Sequence, residues 1–133
     1  MIKGIGHTAY KVADMKAALH FYCDILGFKH AFSIPKDDGT PMIEYLMVAP
    51  GQFIELFYGL KEENELRSYS HLCLEVTDIE ALAKEIQEKG APLDRPVSMG
   101  KDYNLQCWTH DPDGNRIEFM QMSPKSPQAK ASL

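Results

Sequence analysis

No apolar run in the chain approaches the roughly 20 residues that a membrane-spanning helix needs, and Met1-Ile2-Lys3-Gly4 leads straight into a strand pattern without the apolar core of a secretory leader. These absences set aside a membrane helix and point to the cytoplasm. A basic surplus is missing too. Fourteen Lys and Arg face 19 Asp and Glu, for a net charge of −5, so neither nucleic acid nor an anionic membrane surface finds the positive face it requires. A small molecule is the expected partner. Cysteine is sparse and odd in number, at Cys23, Cys73 and Cys107, each inside an apolar segment and with no Cys-x-x-Cys spacing. Reduced, packed thiols are therefore expected rather than disulfides. Nothing in the composition indicates disorder over most of the chain: 44% apolar and 25% charged residues over 133 positions are those of one globular domain with a sizeable core.

What the chain does have is one pattern written twice. Glu55 follows His7 by 48 residues, and Glu118 follows His71 by 47. The repeat extends to residues unconnected with any metal. At an offset of 64, Val12 maps to Val76, Asp14 to Asp78, Met15 to Ile79, Ala18 to Leu82, Leu19 to Ala83 and Tyr22 to Ile86. Further on the offset becomes 63, mapping Gly27 to Gly90, Gly51 to Gly114, Glu55 to Glu118 and Leu56 to Phe119, as a one-residue deletion in the second helix would produce. A long period seen twice is the mark of a duplicated supersecondary unit rather than a solenoid.

Each half reads in the same order. In the first, a strand over 5–12 is followed by a helix capped by Asp14, with the stripe Met15, Ala18, Leu19, Tyr22, Leu26, ending at Gly27. Strands over 28–34, 42–48 and 53–58 follow, separated by Pro- and Gly-rich turns. After a charged linker at 61–67, the second half offers a strand over 70–76, a helix from Asp78 to Gly90, and strands over 91–97, 105–110 and 116–122. The last two are joined by Asp111-Pro112-Asp113-Gly114-Asn115, where Asp-Gly between alternating apolar residues signals a hairpin. The fold class is α+β: two tandem βαβββ units, about 1–60 and 68–122, within a single domain 1–122, followed by a mobile tail at 123–133.

Residues two apart on a strand share a face, so Glu55 points with Phe53 and Phe57, and Glu118 with Arg116 and Met120. Ile54, Leu56, Ile117 and Phe119 then pack under the helices. Each glutamate interrupts an apolar strand, where an unpaired carboxylate would be destabilising by several kcal/mol. Something positive is expected to compensate it. Two imidazoles and two carboxylates repeated in register, His7, Glu55, His71 and Glu118, form a candidate shell for one divalent transition ion, with Zn, Ni, Co and Mn all admissible by donor softness. His20 lies off its helix's apolar stripe, and His30 and His110 lack repeat partners, so these three are assigned to surface or packing roles.

The segments His7-Thr8-Ala9-Tyr10-Lys11-Val12-Ala13-Asp14, Phe21-Tyr22 with Leu26-Gly27-Phe28, Phe53-Ile54-Glu55-Leu56, His71-Leu72-Cys73-Leu74-Glu75-Val76 and Asp111-Pro112-Asp113-Gly114-Asn115-Arg116-Ile117-Glu118-Phe119 closely resemble the vicinal oxygen chelate superfamily, and within it the glyoxalase I group. The resemblance implies cupped, barrel-like mixed sheets, with the metal on the concave side. It implies an isomerase or lyase of the lactoylglutathione lyase type, acting on an α-hydroxycarbonyl or hemithioacetal through an enediolate, with Glu118 as base and Glu55 sharing the proton transfer. Nickel or cobalt is suggested by the short glyoxalases, as is a homodimer in which one chain gives His7 and Glu55 and the other His71 and Glu118.

Glutathione or another thiol is implied as part of the substrate, yet the chain departs from the family there. Lys11 stands where an Arg commonly holds a carboxylate, Gly59 where an Asn is usual, and Lys101 is the available basic replacement. Phe53, Phe57, Trp108, Arg116 and Met120 complete the expected substrate wall. The alternatives fit less of the pattern. Acyl-CoA epimerases usually have Gln where this chain has Glu55, dioxygenases and fosfomycin-modifying enzymes use three ligands, and a metal-free drug-binding protein of the bleomycin-resistance type needs no matched set.

Overall fold

The computed structural model describes residues 5–61, 69 and 71–131. It divides into two compact units, Met1–Leu66 and Arg67–Leu133. In the first, β1 (His7–Val12) is followed by α1 (Met15–Leu19), a π-helical turn (His20–Ile25), β2 (Lys29–Pro35), β3 (Pro41–Ala49) and β4 (Gln52–Tyr58). In the second, β5 (Leu72–Glu75) is followed by α2 (Ile79–Glu88), β6 (Arg95–Met99), β7 (Leu105–His110), β8 (Arg116–Gln121) and α3 (Pro127–Ala131). Each unit forms one four-stranded sheet of the same topology, β1-β4-β3-β2 and β5-β8-β7-β6. In both, the first strand pairs parallel with the last, and the other pairs are antiparallel. Two βαβββ units in mixed sheets are the architecture expected from the sequence.

The helices start where the caps require. The Asp14 carboxylate accepts from the Ala17 amide and the Asp78 carboxylate from the Ala81 amide, each at 3.1 Å. They end differently. In the second unit the Ala91 amide closes the helix on the Ile86 carbonyl at 2.9 Å, and in the first the equivalent bond runs from Phe28 to the Tyr22 carbonyl, also 2.9 Å, around one more residue. That residue is accommodated as the π-helical turn His20–Ile25 in place of the continuous α-helix expected to Gly27. The step in the repeat offset from 64 to 63 is thus a π bulge in the first unit. Gly27 and Gly90 then leave the helices at φ 81° and 97°, a region open to glycine.

One face of each sheet supplies the core. Leu46, Ile54 and Leu56 in the first unit are buried along with Ala18, Phe21 and Tyr22. In the second, Ile117 and Phe119 are buried along with Ile79, Ala83 and Ile86 of α2, which lies on β6, β7 and β8. The alternation expected along the two glutamate-bearing strands is present. β6 starts at Arg95 rather than 91, after Pro92, which has no amide to give a ladder; within it, Pro96 lacks one too, and the register of β6 on β7 skips between Arg95 and Ser98. β5 is shorter than expected, although the Val76 amide still reaches the Met120 carbonyl at 2.8 Å. Beyond Met122, in the segment expected to be a mobile tail, Ser126 is buried and its hydroxyl caps α3 through the Ala129 amide at 3.0 Å. All but Lys61 of the expected linker lies outside the described residues. Among those residues no helix is long and apolar enough to cross a membrane.

The turn between β7 and β8 is held from within. Asp111, almost wholly buried, accepts from the Asp113 and Asn115 amides at 3.0 and 2.8 Å and from the Asn115 side chain at 2.9 Å, while Gly114 takes φ 80°. This fixes Trp108 opposite Glu118. Asp111→Ala would leave two half-buried amides without their acceptor and is expected to lower stability by about 1–2 kcal/mol, read as a lower urea midpoint.

A second buried carboxylate, Glu44, shares the core-side face with Leu46 and accepts from His30 Nε2 at 2.6 Å, Tyr58 at 2.8 Å and Ser33. Burial is the largest single influence on it and raises its pKa, but the three hydrogen bonds together hold it below its usual value. A depressed carboxylate contributes stability that is present above its unfolded pKa and lost as pH falls through the folded one. The urea midpoint should therefore decline as the pH drops below the usual carboxylate range, and Glu44→Gln should flatten that decline. An unchanged slope in the variant would show that Glu44 does not carry it.

Candidate metal centre

The repeated His–Glu pairs come together within each unit. His7 Nε2 lies 3.1 Å from Glu55 Oε2, and His71 Nε2 lies 3.2 Å from Glu118 Oε2. Strand register brings this about. Glu55 sits beside Ala9 on parallel β1 and opposite Tyr45 on β3. Glu118 sits beside Cys73 on β5 and opposite Trp108 on β7. Ala9 and Cys73, Tyr45 and Trp108, and Glu55 and Glu118 are equivalent pairs under the sequence repeat, so the duplication is preserved down to the hydrogen-bond register. Each imidazole is partly open, with side-chain exposures of 43% and 35%, whereas the carboxylates are at 9% and 16%. The acid is the withdrawn partner and the imidazole the more open one.

An aromatic residue stands against each pair. Tyr45 hydrogen-bonds Glu55, which lifts the phenol above its usual pKa, and its ring meets His7 edge-on at 5.8 Å. Tyr45 also stacks on Phe32 at 4.3 Å and approaches Phe53 at 6.4 Å. In the second unit Trp108 meets His71 edge-on at 4.9 Å and lies under Arg116, whose Cζ is 4.6 Å from the ring centre. The indole N–H is engaged by Gln106 at 3.0 Å. Cys73 adds a feature without counterpart in the first unit. Although the residue is exposed, partial burial of its sulfur first, and the Glu118 carboxylate second, push the thiol up to about 12, and the two side chains share a hydrogen bond.

Tyr45 and Cys73 are neighbours of the two glutamates that the sequence reading missed. The available signal was the repeat itself, because the offset of 63 carries Trp108 back to Tyr45. Of the expected substrate wall, Lys11 pairs with Phe57 on the face of His7, and Phe53 pairs with His7. Met120 is buried against the Asn104 amide group, 3.2 Å from its sulfur. Lys101 is in the exposed turn after β6 beside Tyr103, whose φ of 70° is unusual for a non-glycine. No hydrogen bond or ion pair joins it to the His71–Glu118 pair among the described residues. The three remaining histidines pair with other carboxylates: His20 with Asp24 and His110 with Asp94, each at 2.8 Å, and His30 with Glu44 at 2.6 Å.

The donor chemistry fits a divalent ion. Those three unrepeated pairs are as close as charge-assisted hydrogen bonds, whereas the repeated pairs stand at 3.1 and 3.2 Å, close to the spacing of about 3 Å between adjacent donors that share an ion with bonds of about 2.1 Å. Among the described residues no group of three or more His, Cys, Asp or Glu side chains converges. Each unit by itself offers a two-donor half-site.

Residues 4–119 match the family described as the glyoxalase/bleomycin resistance protein/dioxygenase superfamily. Among curated relatives, a probable lactoylglutathione lyase of Synechocystis is 29% identical over 90% of this chain and 95% of its own length. The lactoylglutathione lyase of Haemophilus influenzae is 28% identical over 86% and 90%. The crystal structure of a glyoxalase family protein from Enterococcus faecalis superposes with a TM-score of 0.75 at 23% identity, over 90% of this chain and 98% of that one.

Tyr45→Phe removes the phenol donor from the nearly buried Glu55 while keeping the ring. It is expected to lower stability in metal-free buffer, read as a lower urea midpoint; a midpoint equal to wild type would show that Glu55 does not depend on Tyr45.

Proposed function

Because the chain belongs to the glyoxalase/bleomycin resistance protein/dioxygenase superfamily, we propose that it is a metal-dependent isomerase or lyase of the lactoylglutathione lyase type, acting on an α-hydroxycarbonyl or hemithioacetal. The observation that supports this most is the pair of His–Glu half-sites in identical register, with nitrogen–oxygen spacings of 3.1 and 3.2 Å. His7, Glu55, His71 and Glu118 together would hold one divalent ion, with Ni, Co, Zn and Mn admissible. When bound, such an ion supplies Lewis acidity to neighbouring oxygens of a substrate.

The protein's own groups divide the remaining work. Glu118 is the base: a carboxylate oxygen takes the proton from the carbon next to the substrate carbonyl and returns it to the adjacent carbon. Its hydrogen bond to Cys73 holds the carboxylate in place. Glu55 is held by Tyr45. Lys11, on the face of His7, steadies the anionic end of the substrate, and Phe53, Phe57, Trp108 and Met120 keep water from the exchanged proton. With two donors in each unit, a complete site needs one unit of each kind, and a homodimer with shared sites meets this need.

Metal analysis after incubation with Ni, Co, Mn and Zn should give about one ion per chain, and loss of binding is expected in both His7→Ala and His71→Ala. A chain that stays metal-free throughout would favour ligand sequestration over catalysis. The loaded protein, assayed with methylglyoxal and several thiols beside an acyl-CoA racemisation assay, identifies the reaction. Glu118→Gln should lower kcat by about 10²- to 10⁴-fold, while Lys11→Ala should mainly raise KM. If sites are shared between chains, mixing inactive His7→Ala and His71→Ala proteins under subunit exchange regains activity. Exchange without recovery would place each site within one chain.

A further inference from the structure

The buried carboxylate on the helix side of the first sheet is a charge that neither the His7–Glu55 pair nor the fold requires. At the repeat offset of 63, Glu44 corresponds to Cys107, which is buried at the same register, opposite Phe119 as Glu44 is opposite Leu56. In the first unit this position holds an acid, and at that depth an acid without partners is strongly destabilising.

A β-bulge supplies the partners. Strict alternation would turn His30 and Ser33, three residues apart, to opposite faces. The register of β2 on β3 skips Ala31, so His30 stands across from Leu46 and Ser33 across from Glu44. Both then reach one oxygen of Glu44, His30 through Nε2 at 2.6 Å and Ser33 through its hydroxyl. Tyr58, from β4, donates to the other oxygen at 2.8 Å. Phe32 lies between the two β2 partners, is paired with Tyr45 and stacks on its ring at 4.3 Å. That ring carries the hydroxyl that holds Glu55.

Strand β2 has little else to keep it closed. It is the edge of its sheet, every residue from Lys29 to Pro35 is exposed, and its ladder is irregular again between Ile34 and Pro35. A segment with few buried contacts opens locally before its domain unfolds. Across from the cluster, on the helix side, Lys16, His20, Cys23 and Asp24 share with His30 and Tyr58 the wall of a cavity of about 720 Å³. Of these, His20 and Asp24 are paired with each other at 2.8 Å. Burial raises the pKa of Glu44, but the hydrogen bonds from Ser33, His30 and Tyr58, with the charge on His30, outweigh it and hold the acid below its usual value. The cluster is therefore intact above the usual carboxylate range and is lost as the pH falls through the lowered value.

We propose that Glu44 is the pin of an acid-released strap: ionised, it clamps β2 onto β3 and keeps Phe32 stacked on Tyr45; protonated, it lets β2 open as a local unit and frees Tyr45 beside Glu55. Glu44 is thus a positioning residue for the first unit's His–Glu pair. Its bearing on catalysis rests on the metal-centre reading. The strap itself does not, and is testable without metal.

Amide hydrogen exchange of the metal-free full chain, followed by NMR and expressed as protection factors over a series of pH values, tests it. Protection in the β2–β3 ladder should fall at least about tenfold through the acid transition, while the β3–β4 and β7–β8 ladders keep theirs. The ring-proton shifts of Phe32 and Tyr45 should move to unstacked values over the same range. Ser33→Ala removes one donor and should move the transition to higher pH, and Glu44→Gln should abolish it; the serine variant also serves if Glu44→Gln fails to fold by circular dichroism. No loss of protection in β2, loss in all ladders together, a transition that survives in Glu44→Gln, or an unmoved midpoint in Ser33→Ala would overturn the proposal. Local opening of β2 in a chain that binds no metal would leave the strap standing and remove only its link to the metal-centre reading.

Discussion

In each unit the first strand lies parallel against the last, and the remaining features of the half-sites depend on that pairing. A parallel neighbour cannot be reached by a tight turn, so a crossover is obligatory; here it comprises the helix and the two intervening strands. The geometry that results is specific. The histidine at or just before the start of the first strand and the glutamate in the last strand share a face, with Glu55 beside Ala9 and Glu118 beside Cys73. A slip of one residue would turn each glutamate into the core and bring Ile54 or Ile117 out in its place. Buried Ile54, Leu56, Ile117 and Phe119 oppose such a slip, so the same packing that forms the core also aims the two glutamates.

The withdrawn carboxylates illustrate how the units tolerate a destabilising element. Glu55 is only 7% exposed, and a lone carboxylate at that depth is unfavourable by several kcal/mol. Histidine on one side and Tyr45 on the other supply polar partners without filling the outward side. In the second unit Cys73 takes part of this role beside Glu118. The two units have kept the same His–Glu pair and register while diverging in the neighbour that steadies the acid.

Much of this was legible in the sequence because the chain states it twice. Alternation and turn residues placed β7 at its observed bounds, and Asp14 and Asp78 marked both helix starts. The glutamates stood out as charges in apolar strands. What remained hidden depends on register and local chain path. Tyr45 meets Glu55 only because β3 and β4 pair as they do, and the repeat offset that aligns Tyr45 with Trp108 does not by itself say which residue lies opposite either one. The late start of β6 follows Pro92, which favours extended backbone but denies the ladder a donor. The helix at Pro127–Ala131 is short and exposed, and its anchor, a buried Ser126, carries no apolar signature.

The π-helical turn in the first unit shows which parts of a duplicated structure are free to drift. One additional residue there rotates the side chains that follow it by about a quarter turn around the helix, so the outer surface of this helix cannot match that of α2. The bulge is closed before Phe28, and no strand downstream feels it. Twin folds that descend from one ancestor can thus acquire unlike exteriors while their working faces stay superimposable. A partner that docks on one helix would find no equivalent seat on the other.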